Sequence, residues 1–162
     1  MAIDISDIIA EYREQCNIAR SEDDIKGASN IFFNAVGRSL GIIIDSHNEI
    51  TSAHGGRVDS IYNNIYFEYK KKGLFSLHGT DEAVYGRDDK DHGLFHYLVN
   101  FALEESKGDE ERFLYFLTSS VGVGFDGEKF VFCRFKESIY ETELYHSYKK
   151  KNILQPLLES KK

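Results

Sequence analysis

The chain has 162 residues, of which 41% are hydrophobic, including 12 Phe and 10 Tyr, so one domain with an aromatic core is expected rather than a disordered chain. Its formal net charge of −7 argues against a protein that coats nucleic acid without specificity. No apolar run approaches the roughly 20 residues that cross a bilayer, and the N-terminus lacks the pattern of a secretory signal, so the expected location is the cytoplasm.

The first 53 residues are predicted to form two helices and then a β segment. Apolar residues recur at helical spacing through residues 5–16. Ser21 and Asp24 form a weak capping box, and apolar positions within residues 25–40 continue a second helix that ends near Gly41. Residues 42–53 are predicted to be β structure with a turn around residues 46–48.

Residues 57–62 and 65–70 are predicted to be a β-hairpin. Asn63 and Asn64 lie between them, and asparagine tolerates the positive φ of a two-residue turn. That turn places Asp59 opposite Glu68, with about 4.5–5.5 Å between their Cβ atoms. Lys70 lies two residues after Glu68 and therefore shares its face of the strand.

The second half is predicted to alternate between helices and strands. Residues 73–91 are expected to be a loop, residues 92–105 a helix, and residues 113–117 and 130–135 strands that are joined through residues 122–127. Residues 138–158 are expected to be helical. The fold class is therefore α/β (α+β), with a central mixed β-sheet flanked by helices in the order α-β-β-β-α-β-β-α.

The charged groups of the hairpin indicate a metal site. Two carboxylates this close repel each other unless a cation lies between them, and hard oxygen ligands suit Mg²⁺ or Mn²⁺. A lysine beside such an ion can orient water or offset charge on a phosphate. A Glu-x-Lys pair alone is more often a solvated ion pair. Tyr62, Ile65 and Phe67 nevertheless mark a buried hairpin, where charges without a function are costly.

The segments HGGRVD at residues 54–59 and IYFEYK at residues 65–70 resemble the GRxD…(D/E)xK signature of PD-(D/E)xK nucleases. The similarity is greatest to the N-terminal cleavage domains of type IIG restriction–modification proteins, and more distant to the nuclease domains of type I restriction subunits. Val58 replaces the commoner proline. The resemblance spans about residues 20–136. It implies a restriction-endonuclease-like core and a Mg-dependent endodeoxyribonuclease in which Asp59 and Glu68 hold Mg²⁺ (or Mn²⁺) and Lys70 is catalytic.

Three other segments of the chain lie where the same family has characteristic residues. A third acid near the metal often opens the family's first helix, which makes Glu22 the best match for a catalytic metal ligand and Asp24 the second, although helix capping explains both residues equally well. Residues 122–132 resemble a family hairpin and are interpreted as architectural, with a turn at Asp126. The glutamine that the family carries on its next helix is absent here. His96 or Asn100 could face the site instead, although a lone histidine on an apolar helix face is more often a core residue.

The expected partner is double-stranded DNA, contacted by Arg57, Lys71 and Lys72, although charge runs are usually solvated faces. No target-reading module fits within the chain. The resemblance therefore implies a single nuclease domain over residues 1–162, an N-terminal fragment with fused or partner methyltransferase and target-recognition domains, and a transient dimer on DNA. Two alternatives stay open: a noncatalytic DNA-binding or assembly module that retains the nuclease fold, and an unrelated α/β interaction domain.

Overall fold

The computed structural model describes residues 4–76, 84, 86 and 93–135. Within them, four α-helices surround a five-stranded mixed sheet. The helices are α1 (Ile5–Ile18), α2 (Glu22–Leu40), α3 (Leu94–Ser106) and α4 (Glu110–Ser119). The strands are β1 (Ser46–Thr51), β2 (Arg57–Tyr62), β3 (Ile65–Tyr69), β4 (Val121–Phe125) and β5 (Phe130–Cys133), and a 3₁₀ turn spans Leu74–Ser76.

The sheet lies between two layers of helices. Its strand order follows the chain, β1 to β5, and only β3 and β4 are parallel. Phe67 and Tyr69 pack with residues of α1 and α2, whereas Tyr66 packs against Phe101 of α3. Because neighbouring residues of a strand point to opposite faces, the helix pairs α1–α2 and α3–α4 cover opposite faces of the sheet.

The predicted mixed α/β class and mixed sheet are confirmed, and so are both N-terminal helices, the hairpin and α3. Helix α2 begins at the predicted capping box, in which the Ser21 side chain accepts from the Asp24 amide and Asp24 accepts from the Ser21 amide. The predicted order of elements is wrong for the described residues, because there the helices occur in pairs: α-α-β-β-β-α-α-β-β.

The turn expected at residues 46–48 is also wrong, because these residues lie within β1. β1 is an edge strand of the sheet, and five of its six residues are exposed. Its sequence is therefore polar, which resembles the composition of a turn. The chain reverses instead just before β2, where Gly55 and Gly56 have φ of 96° and 84°. Glycine adopts that conformation without a steric penalty, so the glycines of the HGGRVD segment have a local structural role.

The strand expected at residues 113–117 is part of the helix α4. The Asp109 side chain caps that helix by accepting from the Arg112 amide, and Glu110 and Glu111 favour its first turn. Phe113 and Leu117, four residues apart, are both buried on the side that packs against α3. The aromatic composition suggested a strand, but the capping residue and the four-residue spacing determine a helix.

The connection expected at residues 122–127 is largely the strand β4. Gly122 is in register with Tyr66 of β3, and a Cβ atom there would lie 3.1 Å from the Cβ of Leu94 in α3. The lack of a side chain at Gly122 therefore permits a close approach between α3 and the sheet. The helix predicted for residues 138–158 lies outside the described residues. Both cysteines are free thiols, Cys16 buried and Cys133 half-buried.

Candidate active site

The predicted hairpin register is confirmed by three pairs: Tyr62 with Ile65, Ile61 with Tyr66, and Ser60 with Phe67. Continuing that register would place Asp59 opposite Glu68, but the two strands do not pair with each other at these residues. The Asp59 Oδ2 atom instead accepts a 2.7 Å hydrogen bond from the Tyr69 amide. The candidate site lies here, at the carboxyl end of β3, where β2 and β3 cease to pair.

β2 is irregular at Asp59, and this irregularity explains how the Asp59 carboxylate reaches the backbone of β3. Val58 and Ile61 pack in the same apolar cluster although they are three residues apart. A regular strand would send them to opposite faces. On the other side, Glu49 of β1 lies opposite Asp59, adopts a positive φ of 57° and interrupts the ladder between β1 and β2. Asp59 is thus at a distortion that both neighbouring strands share.

Glu68 and Lys70 form a close ion pair on one face of β3, as predicted. The Lys70 Nζ atom lies 2.7 Å from Glu68 Oε1, and the two side chains are 17% and 9% exposed. The second oxygen, Oε2, is buried and has no hydrogen-bond partner among the described residues. Gly124 of β4 is in register with Glu68 and puts no side chain beside it. Within the described part of the chain, Glu68 therefore has one paired oxygen and one that is available to a ligand.

The electrostatics of the site oppose a second negative charge. Burial, and secondly the Asp59 carboxylate, raise the pKa of Glu68 to about 7, and Lys70 only partly counteracts the two effects. Burial also raises the pKa of Asp59 above its ordinary value, against the hydrogen bond from the Tyr69 amide. Burial favours the neutral form of Lys70, but the nearby acids, Glu68 foremost, outweigh it and raise its pKa, so Lys70 is an ammonium ion.

The two predicted acids of α2 differ in their surroundings. Glu22 is close enough to influence the pKa of Asp59, Glu68 and Lys70 by its charge. The Asp24 carboxylate accepts from the amides of Arg20 and Ser21 and is committed to the cap of α2. The geometry therefore favours Glu22 over Asp24 as the additional acid of the site.

The described residues fit a divalent cation in one respect, but they offer it few ligands. A cation would satisfy the unpartnered Glu68 oxygen and relieve the repulsion between Glu68 and Asp59. Among residues 4–76, 84, 86 and 93–135, however, no group of three or more His, Cys, Asp or Glu side chains is close enough to hold a metal ion. Asp59 and Glu68 would supply the protein ligands, with Glu22 farther away.

Tyr97 of α3 is a site neighbour that the sequence reasoning missed. It is buried, and its pKa is raised by burial and further by the charges of Glu68 and Asp59. It packs with Val58, next to Asp59. The signal for it was a phenol three residues after Leu94, on the apolar side of a helix that packs against β3.

The remaining predicted residues lie around this site in different roles. The Asn100 side chain donates to the Gly55 carbonyl and so fixes the turn before β2 rather than the acidic groups. His96 is buried on α3, with its ring edge-on to Phe95. These contacts indicate structural roles within the α3 layer.

The three basic residues expected to contact DNA are also arranged differently from one another. Lys71 is exposed, and Arg57 is exposed and ion-paired to Glu49. The Lys72 ammonium lies 2.8 Å from the Asn17 carbonyl at the end of α1, where no residue of the last helical turn is basic. Lys72 therefore supplies a charge that favours the C-terminus of α1.

Asp126 is architectural, as the sequence reasoning expected. It is fully buried, and its two oxygens accept from the amides of Phe75, Glu128 and Lys129. These three bonds join the turn between β4 and β5 to the 3₁₀ turn after β3. The carboxylate thus fixes the chain that leaves the candidate site.

No family model matches the chain, and no curated protein or solved structure shows a significant match to it. No helix within the described ranges is long and apolar enough to cross a membrane.

Proposed function

We propose that this chain is a metal-dependent DNA endonuclease domain of the PD-(D/E)xK kind, with a restriction-endonuclease-like core, which hydrolyses phosphodiester bonds with Mg²⁺ or Mn²⁺. The observation that carries the proposal is the buried Glu68 carboxylate. One of its oxygens has no partner among the described residues, and it lies beside a second carboxylate, Asp59, and a lysine. Buried charges of this kind are costly unless a ligand or a partner compensates them.

Each residue of the site has a distinct role in this proposal. Asp59, held by the Tyr69 amide, and Glu68 would bind the ion, with Glu22 as an additional acid. The bound ion would lower the pKa of a water molecule and offset the charge of the phosphate. Because the surrounding acids hold Lys70 in its charged form, its role is to orient the nucleophile and stabilise negative charge rather than to remove a proton.

The proposal extends to the surroundings of the domain. Arg57 and Lys71 are exposed and would contact backbone phosphates of double-stranded DNA, with Lys72 beside them. Sequence recognition would come from fused or partner target-recognition and methyltransferase domains of a restriction–modification protein in the cytoplasm. Cleavage of both strands would need a transient dimer, because one site cuts one strand.

One observation favours a second candidate function, a noncatalytic DNA-binding or assembly module that retains the nuclease fold. Lys70 already occupies one oxygen of Glu68, and the described residues offer no third close ligand. Such a module would bind DNA through the same basic residues without cutting it. The two candidates differ in metal binding and in cleavage.

Calorimetric titration with Mn²⁺ tests the metal site directly. We expect the wild-type chain to bind Mn²⁺ with a dissociation constant of about 1 mM or tighter, and Asp59→Ala to lose that binding because one of two carboxylates is removed. Asp23→Ala is the matched control, since Asp23 lies exposed in the first turn of α2 and is not among the main groups that shift the pKa of Asp59, Glu68 or Lys70. A wild-type chain indifferent to Mn²⁺ would contradict the proposal.

A further inference from the structure

A second lysine approaches the candidate site from α2. Lys26 lies one helical turn after Glu22, and its Nζ atom is 3.1 Å from Glu49 Oε1. The other oxygen of Glu49 pairs with Arg57. The Lys26 side chain is only 14% exposed, so its stem is packed between α2 and β1 while its charged end reaches the half-exposed Glu49.

The position of Glu49 brings this ammonium group next to Asp59. Glu49 lies opposite Asp59 between the pairs Asn48–Ser60 and Ile50–Val58. Residues four apart on a helix share a face, so Lys26 and Glu22 both point toward this part of the sheet. The two charges act on Asp59 in opposite directions: Lys26 lowers its pKa and Glu22 raises it. Asp59 is therefore flanked by Lys70 from β3 and Lys26 from α2.

The contact between Lys26 and Glu49 is weak as a stabilising device. Glu49 is 51% exposed, and an ion pair with an exposed partner contributes little to stability. The left-handed backbone of Glu49 is also unfavourable for a residue with a side chain. A strained position that holds a weak ion pair beside an acidic site points to a role in binding.

We propose that Lys26 binds a phosphate of the DNA backbone on the β1 side of Asp59, and that Glu49 holds its ammonium group in position until the DNA arrives. This inference rests on the proposed function and adds a substrate-binding residue to it. An ammonium group is a good phosphate ligand, and Lys70 is engaged by Glu68. The incoming phosphodiester adds negative charge to a site that already contains Asp59, Glu68 and Glu22, so a second positive group is needed there.

Equilibrium DNA binding tests this role without requiring cleavage. Fluorescence anisotropy would follow a labelled 30-base-pair duplex with the full chain in Ca²⁺, at several salt concentrations. We expect Lys26→Gln to weaken binding about threefold to tenfold and to lower the salt slope by about one, as the loss of one phosphate contact does. Glu49→Gln frees the same ammonium group and is expected to bind equally or more tightly.

Lys107→Gln is the matched control, because it removes the same charge at the far end of α3, about 15 Å along the helix from Tyr97. It should leave binding unchanged. A purely structural ion pair would make Lys26→Gln and Glu49→Gln behave alike, with lower stability and an unaltered salt slope, and this result would overturn the inference. If Lys26→Gln does not fold, Glu49→Gln in an Arg57→Gln background decides, because Glu49 also pairs with Arg57. Binding weaker than that of Arg57→Gln alone overturns the inference, and equal or tighter binding supports it.

The outcomes separate the inference from the proposed function. A wild-type chain that binds the duplex and Mn²⁺, together with an unaltered Lys26→Gln, overturns the role of Lys26 and leaves the nuclease proposal standing. A wild-type chain that binds neither overturns both. A wild-type chain that binds Mn²⁺ but not the duplex overturns the role of Lys26 and the proposed DNA contacts, and leaves the metal site standing.

Discussion

Two buried carboxylates of this chain show how surroundings separate a structural acid from a candidate functional one. Asp126 is fully buried, and its oxygens accept from three backbone amides. Glu68 is also buried, but its Oε2 atom has no hydrogen-bond partner among the described residues and its neighbour Asp59 repels its charge. Hydrogen bonds to a carboxylate favour the charged form, whereas burial and like charge oppose it.

The raised pKa of Glu68 makes the stability of the protein depend on pH. The pKa is about 7 in the folded chain, against an ordinary value of 4.5, so the folded state binds more protons between those two pH values. The free energy of unfolding therefore falls as pH rises through this window. The stability of the wild type relative to Glu68→Gln should decrease by up to about 3 kcal/mol between pH 4.5 and pH 8.

Urea denaturation of both proteins at the two pH values measures that difference. Mg²⁺ at pH 8 should restore stability to the wild type, since a ligand that binds only the folded state stabilises it. The Glu68→Gln variant should not respond to Mg²⁺ in this way. An equal stability difference at pH 4.5 and pH 8 would show that Glu68 is an ordinary carboxylate.

At the scale of elements, the sequence predicts best where a local signal and the packing agree. The capping box of α2 and the two asparagines of the hairpin are local signals, and both elements form as expected. The predictions of a strand around Phe113 and of a connection in place of β4 are wrong. Aromatic residues occur in both helices and strands, and glycine is typical of loops. The reason for Gly122 is the approach of Leu94, a contact 28 positions away that no local pattern contains.

That close approach gives a test of the packing between α3 and the sheet. In Gly122→Ala the new methyl group would lie 3.1 Å from the Cβ of Leu94 and 3.3 Å from the Cβ of Cys133. Both neighbours are fixed close to the backbone, so we expect a loss of about 1–3 kcal/mol in the free energy of unfolding.

Gly27→Ala is the matched control for this substitution. Gly27 lies within α2 and has nothing within 4 Å of an added Cβ, so the same change should stabilise the chain by about 0.5–1 kcal/mol. Thermal or urea denaturation compares the two variants. Equal effects of the two substitutions would contradict the described packing of α3 on β4.

At the scale of the whole molecule, the candidate site lies where several elements meet. β2 provides Asp59, β3 provides Glu68, and Lys70 directly follows β3. Helix α2 provides Glu22 and Lys26, and α3 provides Tyr97. The hairpin residues could be predicted because the short turn fixes which positions share a face. Lys26 and Tyr97 could not, since their relation to the hairpin depends on how the two helical layers pack on the sheet.

The central claim is that the groups around Asp59 cleave phosphodiester bonds with a divalent ion. Nicking of supercoiled plasmid in Mg²⁺ tests it most directly, with EDTA and the identically purified Lys107→Ala chain as controls. We predict that the wild type and Lys107→Ala nick the plasmid, that EDTA stops the reaction, and that Lys70→Ala folds normally but cuts at least about 100-fold more slowly. A wild-type chain that leaves the plasmid intact, or a Lys70→Ala chain that nicks it at the wild-type rate, would contradict the claim.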